Sequence, residues 1–319
     1  MGIFSKIRRH AAVASADFPS MFKEVEIPPL PVAVTRLIGV INQPEPDINE
    51  LVKLVSSAPG IAAKVIKTVN SSLFALRSPV TNVKQAVTLL GLRHIRSIAL
   101  VYATMDGLPK PRGDLFDHEA FWTDSLLRAM LCRSLSKKRY GRQVEDAFTA
   151  SLLADVALPV LLSAWQEYYE PVIHEWQQGC KRLSEIEGEH FGWDHAQAGA
   201  WIAQSWDFPE EMVCYIGMHN LSWEKIREHE LEDTIVVPMA LARISPSVLR
   251  PNGGDSGCVF DAAAQWLSMN HAEFVDCLTE VRESFAEIAG LFGLSDRNAN
   301  RILDDLGAAG GSGDEGDET

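Results

Sequence analysis

Apolar residues along this chain recur at three- and four-residue intervals, the spacing that lines one face of an α-helix. In GIAAKVIKTVN, Ile61, Val65, Ile66 and Val69 fall on one face, and LRHIRSIALVYATM repeats the pattern at Ile95, Ile98, Ala99 and Tyr102. Start and stop signals bracket such runs. Asp47 with Glu50, and Ser184 with Glu187, read as capping boxes. Thr81 reads as the cap of a helix that stops at Gly91, and Pro209 suits a first helical turn. The pattern predicts further helices over 117–140, 145–163, 167–178, 184–191, 194–206, 209–220, 234–249, 261–269, 271–291 and 295–306. No run alternates apolar and polar residues as a half-buried strand must. The predicted fold class is all-α: a multi-helix bundle followed by a C-terminal helical extension.

Punctuation and composition then divide the chain. The breaks fall at DGLPKPRGD and at PNGGDSG near residue 252. The end, GGSGDEGDET, sets Asp314, Glu315, Asp317 and Glu318 among Gly and Ser, a composition expected to be disordered. The expected organisation is a leader over 1–21, a helical domain over 22–245, a helical extension over 246–306 and an acidic tail over 307–319. The start, MGIFSKIRRHAAVASADF, is basic but lacks the apolar stretch of a signal peptide, and no apolar run is expected to span a membrane. A net charge of -14 argues against non-specific nucleic-acid binding, which needs cations to neutralise phosphates. The five cysteines (Cys132, Cys180, Cys214, Cys258 and Cys277) form no CxxC pair. That usage predicts reduced thiols in a cytoplasm and speaks against a disulfide framework or a zinc finger.

In SLLADVALPVLL the acidic Asp155 interrupts an apolar run. A carboxylate buried there needs a partner, because desolvating an unpaired charge costs several kcal/mol. The surrounding motifs explain why the position is acidic. The PPLP entry, NSS at Asn70 to Ser72, the AVTLLG helix ending at Gly91, and then FWTDSLLRA, SLLADVALPVLL, HAQAGAWIAQSW and MVCYIGMHN occur in order. Together they resemble HDOD domains, the HD-related output domains of bacterial signalling proteins, over roughly residues 22–245. One departure is Ala58 in SAPG, where that family usually has an aspartate.

HDOD domains are similar to HD-domain phosphohydrolases, whose histidines and aspartates hold metal inside a helical bundle. The resemblance places those ligand positions at Asp124, at Ala154 with Asp155, at His195, at His219 and at Leu241. Ala157 and Leu158 stand where lysine or glycine usually follows the His-Asp pair. Alanine and leucine side chains have no lone pair, so the set lacks donors that a hydrolytic centre requires. The resemblance therefore implies a protein that is not an enzyme, carries no cofactor and binds signalling proteins. Asp155, His195 and His219 still combine a carboxylate with two imidazoles, a set able to hold a divalent metal weakly. His195 follows the Asp194 cap, and a helix N-terminus disfavours imidazolium, as a metal ligand needs. The other reading of these residues is a buried hydrogen-bond cluster. On the metal reading, the alternative function is a degenerate metal-dependent phosphohydrolase with a single-metal site.

Remaining candidates concern the surface. Arg93, His94 and Arg96, with Lys110 and Arg112 nearby, suit a phosphate or an acidic partner, or simply a solvated helix face. Lys137, Lys138, Arg139 and Arg142 complement the dipole at a helix C-terminus. Trp201 and Trp206 are expected in the core, while Trp176 and Trp193, near polar loops, are expected on a partner surface.

Overall fold

The computed structural model describes residues 27–43 apart from positions 28 and 31, and residues 47–111, 116–250 and 256–309. The described residues form helices and turns, with an isolated antiparallel bridge from Ser247 to Arg250 and no strand. In chain order the helices are α1 (Val32–Ile41), α2 (Ile48–Ser56), α3 (Pro59–Val69), α4 (Val83–Leu90) and α5 (Leu92–Gly107). Next come α6 (His118–Ser136), α7 (Val144–Leu152), α8 (Ala157–Ala164), α9 (Gln166–Gln178), α10 (Leu183–Phe191), α11 (His195–Ser205) and α12 (Glu210–Met218). The last are α13 (Trp223–Glu228), α14 (Val236–Ile244), α15 (Ser256–Leu267), α16 (His271–Phe292) and α17 (Arg297–Ala309). The all-α class stands. Contacts divide the chain into two compact units, one of Met1–Phe116 with Leu153–Met218, the other of Asp117–Leu152 with His219–Thr319.

In the first unit, α1 to α5 pack through the spaced apolar residues: Leu37 and Ile38, Leu51 and Val55, Val65 and Val69, Ala86 and Val87, Ile95 and Ala99 are all buried. Helices α11 and α12 approach closely because glycine stands at their crossing. A Cβ at Gly199 would lie 2.9 Å from Ile216 Cγ2, and one at Gly217 would lie 3.0 Å from Ala200 Cβ. In the second unit, α6 is buried along nearly its whole length and packs on α7, α14, α16 and α17. Its basic end does more than complement a dipole. Lys137 pairs with Glu280 at 2.5 Å, Lys138 with Glu273 at 2.6 Å and Arg139 with Asp233 at 2.5 Å.

Several helix ends differ from the pattern-based expectation. Asn82, not Thr81, caps α4, its Oδ1 accepting the Gln85 N–H at 2.9 Å. Gly91, at φ 85°, does end that helix. At the start of α10, Glu185 Oε2 accepts the Arg182 N–H at 3.0 Å, half of a capping box, in place of the one expected of Ser184 and Glu187. Glu187 is thereby left for other work. Helix α17 continues through Gly307 to Ala309, past the expected start of the tail. The leader over 1–21, the tail beyond 309, Arg112 and most of the PNGGDSG break lie outside the described residues.

The stretch expected as one helix over 145–163 is two. The chain turns over 153–156, between α7 and α8. Pro159 explains the break: it has no N–H to give the Asp155 carbonyl, and its ring would clash with that carbonyl in an unbroken helix. Asp155 C=O instead accepts the Leu158 N–H at 3.0 Å. Contrary to expectation, Val144–Ala164 has the length and mean hydropathy, 1.8, of a membrane span. Protein covers it: 89% of its most apolar window is buried.

Candidate functional site

The break at 153–156 puts Asp155 in a turn, and its buried side chain meets the first residue of α11. His195 Nε2 lies 3.3 Å from Asp155 Oδ1. The opposite ring nitrogen, Nδ1, lies 2.6 Å from Glu187 Oε2 on α10. The same oxygen accepts the His195 backbone N–H at 2.9 Å, and the Tyr169 hydroxyl donates to Glu187 Oε1. A chain of hydrogen bonds thus runs Asp155–His195–Glu187–Tyr169 through the first unit. Glu187 is 0% exposed, His195 3% and Asp155 7%.

Charge is what makes this burial tolerable. Burial by itself pushes the His195 imidazolium toward losing its proton, but Glu187 and Asp155, one at each ring nitrogen, outweigh it and raise the pKa to about 10. Burial raises the Glu187 carboxyl above the usual carboxylate range, and His195 only partly offsets it. Three donors on one carboxylate favour its ionised form. The two carboxylates thus favour the charged ring, which then donates from both nitrogens. Against the neutral ring expected at a helix N-terminus, where the dipole effect is about 0.3–1 kcal/mol, two carboxylates at contact distance favour the charged form.

The remaining predicted positions are placed as follows. Ala154 lies in the same turn as Asp155, and Leu241 is buried in α14. Asp124 belongs to the second unit, where it pairs with Arg128 at 3.0 Å and accepts the Val248 N–H at 2.8 Å. His219, the residue after α12, is buried and begins the second segment of the second unit. Among the HD-type positions, Asp155 and His195 are the ones brought together within one unit. Ala154 and Leu241, at two of the positions that the resemblance assigns to ligands, offer no donor.

Glu187 is the residue that sequence reasoning missed, since its cap-like spacing from Ser184 hid the buried role. Of the surface candidates, Arg93 is exposed, while His94, Arg96 and Trp176 are half-buried. Trp193 is corrected: it is buried, stacking on Phe191 at 5.0 Å and on Trp165 at 6.0 Å. Trp206 is buried as expected, and Trp201 is half-buried.

A family model of the HDOD domain matches residues 27–221. A Treponema pallidum (strain Nichols) protein, itself named uncharacterized, is 24% identical over 61% of this chain. The match spans 38% of that relative's length. Among solved structures, an HDOD domain protein with unknown function from Geobacter sulfurreducens has a TM-score of 0.63 at 20% identity, over 91% of this chain and 98% of that one. A Marinobacter aquaeolei VT8 protein whose name proposes a role in signal transduction also has a TM-score of 0.63 at 20% identity, over 93% and 66%. A Shewanella amazonensis SB2B protein whose name proposes a phosphohydrolase has 0.60 at 22% identity, over 90% and 98%. At these identities the likeness establishes the fold.

Proposed function

The chain belongs to the HDOD domain family, and from that premise we propose that it is a non-catalytic regulator in bacterial signal transduction, acting by binding other proteins. The observation that carries this reading is the state of the old metal position. Two of its donors are replaced by Ala154 and Leu241, and His195 is held between Asp155 and Glu187 as a charged structural residue. Such a cluster rigidifies the turn after α7 and the start of α11 without offering a reactive group. A reducing cytoplasmic setting fits the free cysteines.

One feature favours the second reading, a degenerate metal-dependent phosphohydrolase. Glu187 at Nδ1 aims Nε2 toward Asp155, as outer carboxylates do for metal-bound histidines. A hydrolysis assay separates the two. Purified protein with Mn²⁺ or Fe²⁺ is expected to turn over neither nucleoside triphosphates nor cyclic dinucleotides above the level of a His195→Ala chain. Metal-dependent turnover that disappears in His195→Ala would overturn the regulator reading.

A further inference from the structure

From Leu51 to Met105 the sequence contains no aspartate or glutamate, yet it carries Lys53, Lys64, Lys67, Arg77, Lys84, Arg93 and Arg96. In a chain with 43 acids and a net charge of -14, that is a marked local reversal of sign. Lys53, Lys67, Arg77, Lys84 and Arg93 are exposed; Lys64 and Arg96 are half-buried. Lys64 is matched by Asp106 at 2.9 Å, just outside the acid-free stretch.

Arg93 and Arg96 of this stretch lie in the opening turns of α5. Helices α3 and α5 run antiparallel, tied by Lys64 to Asp106 and by a 2.7 Å hydrogen bond between Thr68 and Tyr102. The chain leaving α3 then reaches back to the start of α5, where Phe74 meets His94 edge to face at 6.0 Å. Arg77 follows Phe74 by three residues, and Arg93 and Arg96 flank His94. Helix α5 begins at Gly91 with no side-chain cap, so its positive dipole end adds to the arginines. The buried His94 Nδ1 has no hydrogen-bond partner among the described residues. Beside this end of α5, Leu89 of α4 is 59% exposed.

We propose that the surface of Arg77, Arg93 and Arg96 around Phe74 and His94 docks an acidic segment of a partner protein, with Leu89 receiving an apolar side chain of that segment. The inference rests on the reading of this chain as a protein-binding regulator and names the partner's chemistry. Charge complementarity favours a short acidic segment over a nucleic acid. Fields decay over about 8 Å at physiological salt, so a short segment senses mainly the local cations. A long polyanion would also meet the acidic remainder of the molecule.

The test uses the full chain and fluorescence anisotropy of a labelled Asp/Glu-rich peptide bearing one leucine. A single-stranded DNA oligonucleotide of equal charge serves as competitor. Binding is expected to fade as salt rises, and Arg77→Glu or Arg93→Glu is expected to weaken it about tenfold. Arg77→Gln and Arg93→Gln should fall between, and Lys225→Glu, an equal charge change at an exposed site in the second unit, should leave binding unchanged. Circular dichroism checks that each chain is folded. Absence of peptide binding, an equal effect of Lys225→Glu, or tighter binding of the oligonucleotide overturns the docking surface. That outcome without hydrolysis leaves the regulator reading standing, whereas metal-dependent turnover overturns that reading whatever the peptide does.

Discussion

Asp155, His195 and Glu187 are three ionisable groups buried together, and each offsets the cost of burying the others. Removing one leaves the rest unpaired. Asp155→Ala should therefore cost roughly 1–3 kcal/mol, the penalty of an imidazolium N–H left without its acceptor. With the His195 ring as the partner of Asp155, the cost should be the same with and without a chelator. Denaturant melts of wild type and variant in both conditions check this; a loss of stability on chelation of the wild type alone would contradict it. The pH dependence has a definite sign. His195 keeps its proton up to about pH 10 when folded, against 6.5 for the ordinary group. The unfolded chain thus binds fewer protons between those values, and stability falls as pH rises through that window. The contribution is complete below the lower value. In His195→Gln this part of the slope should vanish, so the difference between wild-type and variant melting temperatures should shrink from neutral toward alkaline pH. Much of this cluster is legible in the sequence, since an acid inside SLLADVALPVLL and a histidine after a cap stand out. Glu187 does not stand out. Its partner is set by how α10 meets α11, and a helix glutamate three residues after a serine looks like a capping residue. Trp193 misleads for the same reason: nearness to a polar loop says nothing about which way the ring packs.

Helix existence was readable from period and caps because both are local, but the meeting of helices depends on which side chains are small. At the crossing of α11 with α12, glycine helps neither helix on its own, since glycine costs about 1 kcal/mol against alanine in a helix interior. Its presence at Gly199 is explained by the neighbour: a Cβ there would sit 2.9 Å from Ile216 Cγ2, a branched group held near its own backbone. Gly188 in α10 provides the contrast, exposed and with nothing within 4 Å of a built Cβ. Gly199→Ala should destabilise by about 1–3 kcal/mol through overpacking, despite the better propensity. Gly188→Ala should stabilise by about 0.5–1 kcal/mol. Thermal melts of the two variants should shift in opposite directions; equal upward shifts would mean that the α11–α12 crossing relaxes freely. The same lesson applies to 145–163. Its apolar period is continuous, so the period alone predicts one helix, while Pro159 carries the information that the helix must break.

The two compact units are each discontinuous in sequence, and the second gathers α6 and α7 with everything from His219 onward. A family-like stretch ending near residue 245 therefore does not coincide with a set of helices that bury one another. Helix α16, beyond that point, packs along α6 and buries Phe274, Leu278, Val281 and Phe285. Its Glu273 and Glu280 receive Lys138 and Lys137, and Arg139 donates to the Trp266 carbonyl at 2.9 Å. Asp124 depends on the same region through the Val248 N–H. A chain ending at Ser245 would strip these partners from α6 and expose its apolar face. Full burial of each large apolar side chain is worth roughly 1.5–3 kcal/mol. Losing several approaches the entire stability of a typical domain, about 5–15 kcal/mol. The exposed ion pairs add little, because solvent screens them. The truncated chain should lose the cooperative melt of its second unit, show less helix than its remaining residues supply in the intact protein, and bind a hydrophobic dye. Circular dichroism melts with dye fluorescence measure all three. An unchanged melting temperature and no dye binding would show that α6 is held by α7 and α14 alone, and that the helices after 245 are an independent addition.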